Sequence, residues 1–242
     1  LKSQGLAAAD AAVTAFASPR RLAVHVAAVA SQAADAAVRQ KLMPVAVALT
    51  PDGEPSPALL KRLAAMGLGA DTVPQLTRAP DGKAEALFWN AIVPGATLAL
   101  GLQKALDEAL AKLPIPKVMT YQLADGWSDV KFVRPAHGLI ALHGADVVPL
   151  STLGLSSGRE TRGHRFESSL PVIAIEHADS YATQLREQGA VIASFAERRA
   201  EIVRQLDAAA ARLGGGVRAI EDEALLDEVT ALVERPNVLV CQ

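Results

Sequence analysis

"VKFVRPAHGLIALHGADVVPLSTL", residues 130–153, holds a succession of short apolar runs. "VKFVRP" and "GLIALHG" read as strands meeting at Pro135, and "DVVPLSTL" reads as a third. No helical pattern separates them. Strands and helices therefore do not alternate regularly along this chain. That favours an α+β fold, with mixed or antiparallel sheets and packed helices, over a doubly wound parallel sheet.

Upstream, "FASPRRLAVHV" (16–26) sets Pro19 ahead of an apolar, Val-rich run. Pro19 breaks any preceding helix and pushes Ser18 toward extended geometry, so a strand is expected from Arg21. His25 lies within that run and reads as a core or hydrogen-bonded histidine. "LTPDGEPSP" (49–57) is loop-like. "PALLKRLAAMGL" (57–68) places Leu59, Leu60, Leu63 and Met66 at helical spacing, with Gly67 as a stop. Asp81-Gly82 reads as a turn into a strand over 87–93. "LGLQKALDEALAKLPIP" (100–116) is an amphipathic helix with Leu102, Ala105, Leu106, Ala109, Leu110 and Leu113 on one stripe, ended by Pro114.

Downstream, "LPVIAI" (170–175) is a short strand, and from residue 178 the pattern turns helical. "DSYATQLREQG" (179–189) has Asp179 as a candidate cap and Gly189 as a stop. "SFAERRAEIVRQLDAAAARLGGG" (194–216) is a long helix terminated by Gly214, Gly215 and Gly216. "EDEALLDEVTALVERP" (221–236) carries acids at its N-terminal end, where the helix dipole favours them. The expected organisation is an α+β module over 1–168 and a mainly helical segment over 169–242. That segment is expected to continue into a further domain. The start at Leu1 and the strand-like close "NVLVCQ" fit a piece of a longer protein cut at both ends.

The 242 residues suffice for one large domain or two small ones. Half are hydrophobic and only 4% aromatic, so the core must be built from Ala, Val and Leu. Mean hydropathy is +0.22. A charged fraction of 21% argues against disorder. A net charge of −2 is not that of a dedicated DNA-binding domain, so nucleic-acid contact must come from local patches. The single cysteine, Cys241, leaves no internal disulfide and no Cys-based zinc site, which fits a reducing, cytoplasmic setting. No run of about 18 apolar residues predicts a membrane-spanning helix.

Little here carries chemistry of its own. "GLGA" and "LGGGV" lack the Lys-Ser/Thr of a phosphate-binding loop. His25, His137, His143, His164 and His177 show no metal-ligand spacing, and no metal is expected. No G-x-S-x-G nucleophile elbow is present, and no catalytic residue is assigned. What remains is "RETRGHRFESS" (159–169), where Arg159, Arg162, His164 and Arg165 crowd into a loop. Arg20, Arg21 and Arg134 are further basic candidates beside strand starts or prolines. Planar guanidinium suits phosphate and carboxylate alike. These arginines therefore either hold an external anion or pair with acids of the helical third, such as Glu221, Asp222 and Asp227.

"FASPRRLAVHV", "LPIPKVM", "VKFVRPAHGLIALHG", "GRETRGHRF", "IASFAERRAEI" and "LLDEVTALVERP", in that order and spacing, resemble the N-terminal half of the beta subunit of bacterial glycyl-tRNA synthetase. The resemblance covers nearly the whole chain. It implies a cytoplasmic α2β2 enzyme that joins glycine to tRNA(Gly) with ATP. The ATP-binding site, with its Mg, lies on the alpha subunit, so this piece itself carries no cofactor and is inactive alone. Its implied partners are the alpha subunit and tRNA(Gly), with neither membrane nor DNA. A module with its own hydrolytic, editing-like activity is the alternative. Where relatives carry "MRWG" after "LPIPK" this chain reads "VMTYQLADG", and Gly138 replaces a tryptophan; the loop at 119–129 is left without an assigned role. For "ETRGHRF" the choice is between a structural loop and a contact to tRNA or the alpha subunit. The structural role is slightly favoured because no aromatic stacking platform accompanies the arginines. Phe166, the one candidate, is expected to be buried.

Overall fold

The computed structural model describes residues 1–241 apart from Lys83, Pro116 and Arg134. The chain forms two compact units. One comprises Leu1–Ser31 with Thr97–Gln242, and the other is Gln32–Ala96. The position 168/169, where a boundary was expected, falls within the first unit.

In the unit Leu1–Ser31/Thr97–Gln242, β1 (Val13–Ser18) and β2 (Arg21–Val26) form an antiparallel hairpin with Ser18 opposite Arg21. In the unit Gln32–Ala96, β3 (Ala36–Pro44), β4 (Thr77–Asp81) and β5 (Ala84–Val93) make an antiparallel sheet of order β3-β5-β4. Two helices accompany it, α1 (Val45–Ala48) and α2 (Pro57–Ala65). Ser56 caps α2 by accepting from Leu59 N at 3.2 Å, with Pro57 in the first turn, where its missing N–H costs nothing. Leu59 and Leu63, one turn apart, are fully buried with Ala48 and Leu87. Leu60, expected on the same stripe, is 37% exposed.

Returning to the first unit, α3 (Leu98–Lys112) ends one residue short of Leu113 and Pro114. β6 (Met119–Gln122) and β7 (Asp129–Phe132) form a hairpin. Asp125 shapes its turn by accepting from Trp127 N and Ser128 N, both at 2.9 Å. Very short antiparallel pairs follow: β8 (Leu142–His143) with β9 (Asp146–Val147), β10 (Ser151–Thr152) with β11 (Leu155–Ser156), and β12 (Glu160–Thr161) with β13 (Ile173–Ala174). The strand expected from "GLIALHG" is thus only two residues, Leu142–His143. Its neighbours spend their backbone groups irregularly: Gly158 N donates to Leu139 O and Val148 N to Ala141 O.

The remaining helices are α4 (Tyr181–Glu187), α5 (Phe195–Leu213) and α6 (Glu223–Leu232). Asp179 does not cap α4. Ser180 holds that position, and His177 caps the 3-10 turn Ala178–Ser180 just before it. Ser194 caps α5, Asp222 caps α6, and Gly214 at φ +68° ends α5 in the left-handed region that favours glycine. A core of Ile173, Ile175, Leu185, Val191 and Ala193 lies beside β13 and α4, with Phe16 of β1 packed on it. Phe16 meets Tyr181 ring to ring at 5.4 Å. No helix among the described residues is long and apolar enough to cross a membrane.

Candidate nucleic-acid interface

Of the sequence-predicted arginines, Arg21 meets the Arg162 backbone directly, and those that are described divide into two populations. Pro19 and Arg20 form the two-residue turn of the β1–β2 hairpin, and Arg21 opens β2. The Arg21 guanidinium donates to the Glu234 carboxylate through Nη1 and to the Arg162 carbonyl through Nη2. Ser18 Oγ donates to the same Glu234 oxygen at 2.9 Å. Glu234 follows α6 and is 5% exposed. Arg21 is therefore an internal tie. Its acid lies in the C-terminal third of the chain, but it is Glu234 rather than Glu221, Asp222 or Asp227. Asp222 instead caps α6 by accepting from Leu225 N at 2.9 Å, while Asp227 and Glu223 bind Arg199.

Behind this tie stands Arg198, which is fully buried. Its Nε donates to Thr230 O at 3.0 Å, Nη1 to Ile192 O at 2.7 Å, and Nη2 to Ala17 O at 2.8 Å. Ile192 N in turn donates to Glu234 O at 2.9 Å. One guanidinium thus fastens β1, the lead into α5 and the end of α6. Burial lowers the Arg198 pKa, against the pull of Glu234, and burial raises that of Tyr181 nearby. The sequence reading passed over Arg198. The available signal was its place one turn before Ile202, on the stripe of α5 that is buried.

The loop after β12 is braced from within. Arg159 Nη2 donates to Ala145 O at 2.8 Å, so this arginine too is internally committed. His164 N donates to Gly189 O at 2.6 Å, and Ser168 N to His164 O at 3.1 Å. Gly163 is buried at this approach, where a Cβ would lie 2.6 Å from Gly189 O.

The side chains of Arg20, Arg162 and Arg165 form the second population. All three are exposed, and among the described residues none of their guanidiniums donates a hydrogen bond. Arg235, also exposed, binds Glu167 at 3.2 Å. His164 is half-buried, and its Nδ1 accepts from Phe166 N at 3.4 Å. Phe166 corrects the expectation outright, for it is 85% exposed. The anchors are buried Gly163 and half-buried Ser168 on either side, which leave residue 166 at the tip. The Arg165 guanidinium carbon lies 6.0 Å from the Phe166 ring centre, and His164 meets that ring edge-on at 6.2 Å. Arg134 lies outside the described residues.

Elsewhere His25 Nε2 bonds Asp179 Oδ1 at 2.7 Å, fastening β2 to the turn before α4. Among the described residues no three His, Cys, Asp or Glu side chains gather as a metal site would require.

Comparison with known proteins shows the family. The family model described as glycyl-tRNA synthetase beta subunit matches residues 1–242. The glycine–tRNA ligase beta subunit of Leptothrix cholodnii is 71% identical over 242 residues, covering all of this chain and 34% of the relative. Those of Acidovorax ebreus and Delftia acidovorans are 68% and 67% identical, again over the whole chain and 34% and 35% of their own lengths. The chain spans about a third of the length of these curated relatives rather than the expected half. A match along every residue, to the family that the ordered motifs resembled, leaves one assignment: the chain belongs to the glycyl-tRNA synthetase beta subunit family.

Proposed function

We propose that this chain is a non-catalytic region of the beta subunit of an α2β2 glycine–tRNA ligase of the cytoplasm. It supports the ATP-dependent attachment of glycine to tRNA(Gly) through tRNA binding and assembly with the alpha subunit, which uses the ATP and Mg. Family membership along the whole chain carries this reading. The exposed, uncommitted guanidiniums of Arg20, Arg162 and Arg165 supply a means of holding a polyanion on a protein whose net charge is −2. The finer division, an α+β module over 1–168 and a mainly helical segment over 169–242, belongs to the same reading.

Glycine-dependent pyrophosphate exchange and tRNA charging test it. The isolated chain is expected to support neither, and full-length beta subunit assembled with alpha is expected to support both. Exchange by the isolated chain well above buffer sinks the non-catalytic assignment.

A further inference from the structure

We infer that Phe166 is a stacking platform for an unpaired RNA base, and that Arg162 and Arg165 hold the phosphates beside it. The inference rests on the tRNA-binding reading above and names the surface that serves it.

Phe166 is held out by a stiff loop. The hydrogen bonds from His164 N to Gly189 O and from Ser168 N to His164 O brace the backbone on either side, and Ser168 Oγ donates to Leu170 O at 2.8 Å. The ring is nonetheless 85% exposed. Its neighbours are polar, with His164 at its edge and the Arg165 guanidinium 6.0 Å from its centre. Arg162 is exposed, and its carbonyl is bound by Arg21, next to exposed Arg20. The nearby acid Glu167 is matched by Arg235.

An aromatic face amid uncommitted guanidiniums is what holds single-stranded RNA. Stacking accepts any base, and the cations take the backbone. A regular duplex offers the ring no open base face. The core of a protein interface is depleted of acidic side chains, whereas Glu167 directly follows Phe166.

The test uses full-length beta subunit assembled with alpha, an unmodified tRNA(Gly) transcript and a blunt RNA duplex. Phe166→Ala should weaken transcript binding roughly five- to hundredfold. Phe166→Trp should retain it, and duplex binding should be the same in both. Arg162→Gln and Arg165→Gln should each reduce the salt slope by roughly 0.7, the single-strand value per phosphate contact. Melting temperatures should not change. If Phe166→Ala binds like wild type while the wild-type assembly binds and charges the transcript, the stacking surface is wrong and the proposed function stands. A wild-type assembly that neither binds nor charges the transcript overturns both. Loss of the alpha subunit by Phe166→Ala at unchanged transcript affinity makes the loop a protein contact. A melt that falls together with affinity makes Phe166 structural. Either result overturns the inference.

Discussion

Arg21 and Glu234 form an ion pair across 213 residues of chain, with side chains only 14% and 5% exposed. The pair sits where β1–β2 meets the segment after α6. Both charges have left water, so neither can lose its partner without leaving the other stranded.

Arg21→Ala and Glu234→Ala are each expected to destabilise the chain by about 2–4 kcal/mol. The double variant should cost clearly less than the sum, with a coupling of at least about 1 kcal/mol. Urea melts of the four proteins measure this. Additive losses would mean that the pair is not coupled.

Arg198 offers a sharper case, because its acceptors are backbone carbonyls that no substitution removes. Arg198→Met keeps apolar bulk but orphans the carbonyls of Thr230, Ile192 and Ala17, at an expected cost of about 2–4 kcal/mol. Arg198→Lys should fare little better, since an ammonium centred on one nitrogen cannot reach carbonyls matched to the three separate nitrogens of a guanidinium. A melt within about 0.5 kcal/mol of wild type, the size of a surface change, would contradict the buried network.

Gly163→Ala probes the brace of the basic loop. The new Cβ would meet Ser168 Oγ at 2.3 Å and the Gly189 carbonyl at 2.6 Å, and the second is backbone. The substitution is expected to cost about 1–3 kcal/mol and to loosen the loop. Hydrogen exchange of the His164 amide reads this directly, and unchanged protection would count against it.

Glu201 supplies a pH test. Hydrogen bonds from Arg204, and then from Gln205, lower its pKa to about 2. The folded value lies below the unfolded one of about 4.3, so the carboxylate contributes stability above pH ~4.3 that is lost as pH falls toward 2. Glu201 is 28% exposed and Arg204 66% exposed, and solvent screening holds the effect to about 1 kcal/mol or less. Glu201→Gln should therefore be less stable than wild type at pH 7, and the difference should close as pH falls. A constant gap from pH 5 to pH 2 would refute the attribution.

The sequence made the periodic elements legible. α2, α3, α5 and α6 carry apolar stripes with caps or stops, and the strand at Arg21 follows from Pro19. β1 was not legible. "VTAFAS" mixes Val13 and Phe16 with Ala, Ser and Thr in no clear alternation, and pairing with β2 makes it a strand. The run at 138–144 looked like a strand because it is apolar, yet its backbone groups go mostly to irregular partners. At the site, local sequence identified Arg159, Arg162, His164 and Arg165 as a cluster. It could not sort the tied from the exposed, because Arg21 is tied by a residue 213 positions away. Phe166 read as core by residue type alone. What exposes it is the pair of flanking anchors, Gly163 and Ser168.

The knot of Ala17, Ser18, Arg198 and Glu234 also sets an order of events in time. Ala17 waits 181 residues for Arg198, and Ser18 waits 216 for Glu234. At a synthesis rate of roughly 5–20 residues per second, that delay is roughly 10–40 s. Meanwhile the stretch Gln32–Ala96, whose sheet and core need nothing from outside it, has everything required to fold. Of the two units, the one that holds residues 1–31 is thus completed after Gln32–Ala96. Nascent chains arrested just before and just after residue 234 emerges should differ in protease resistance at 1–31 and agree at 32–96.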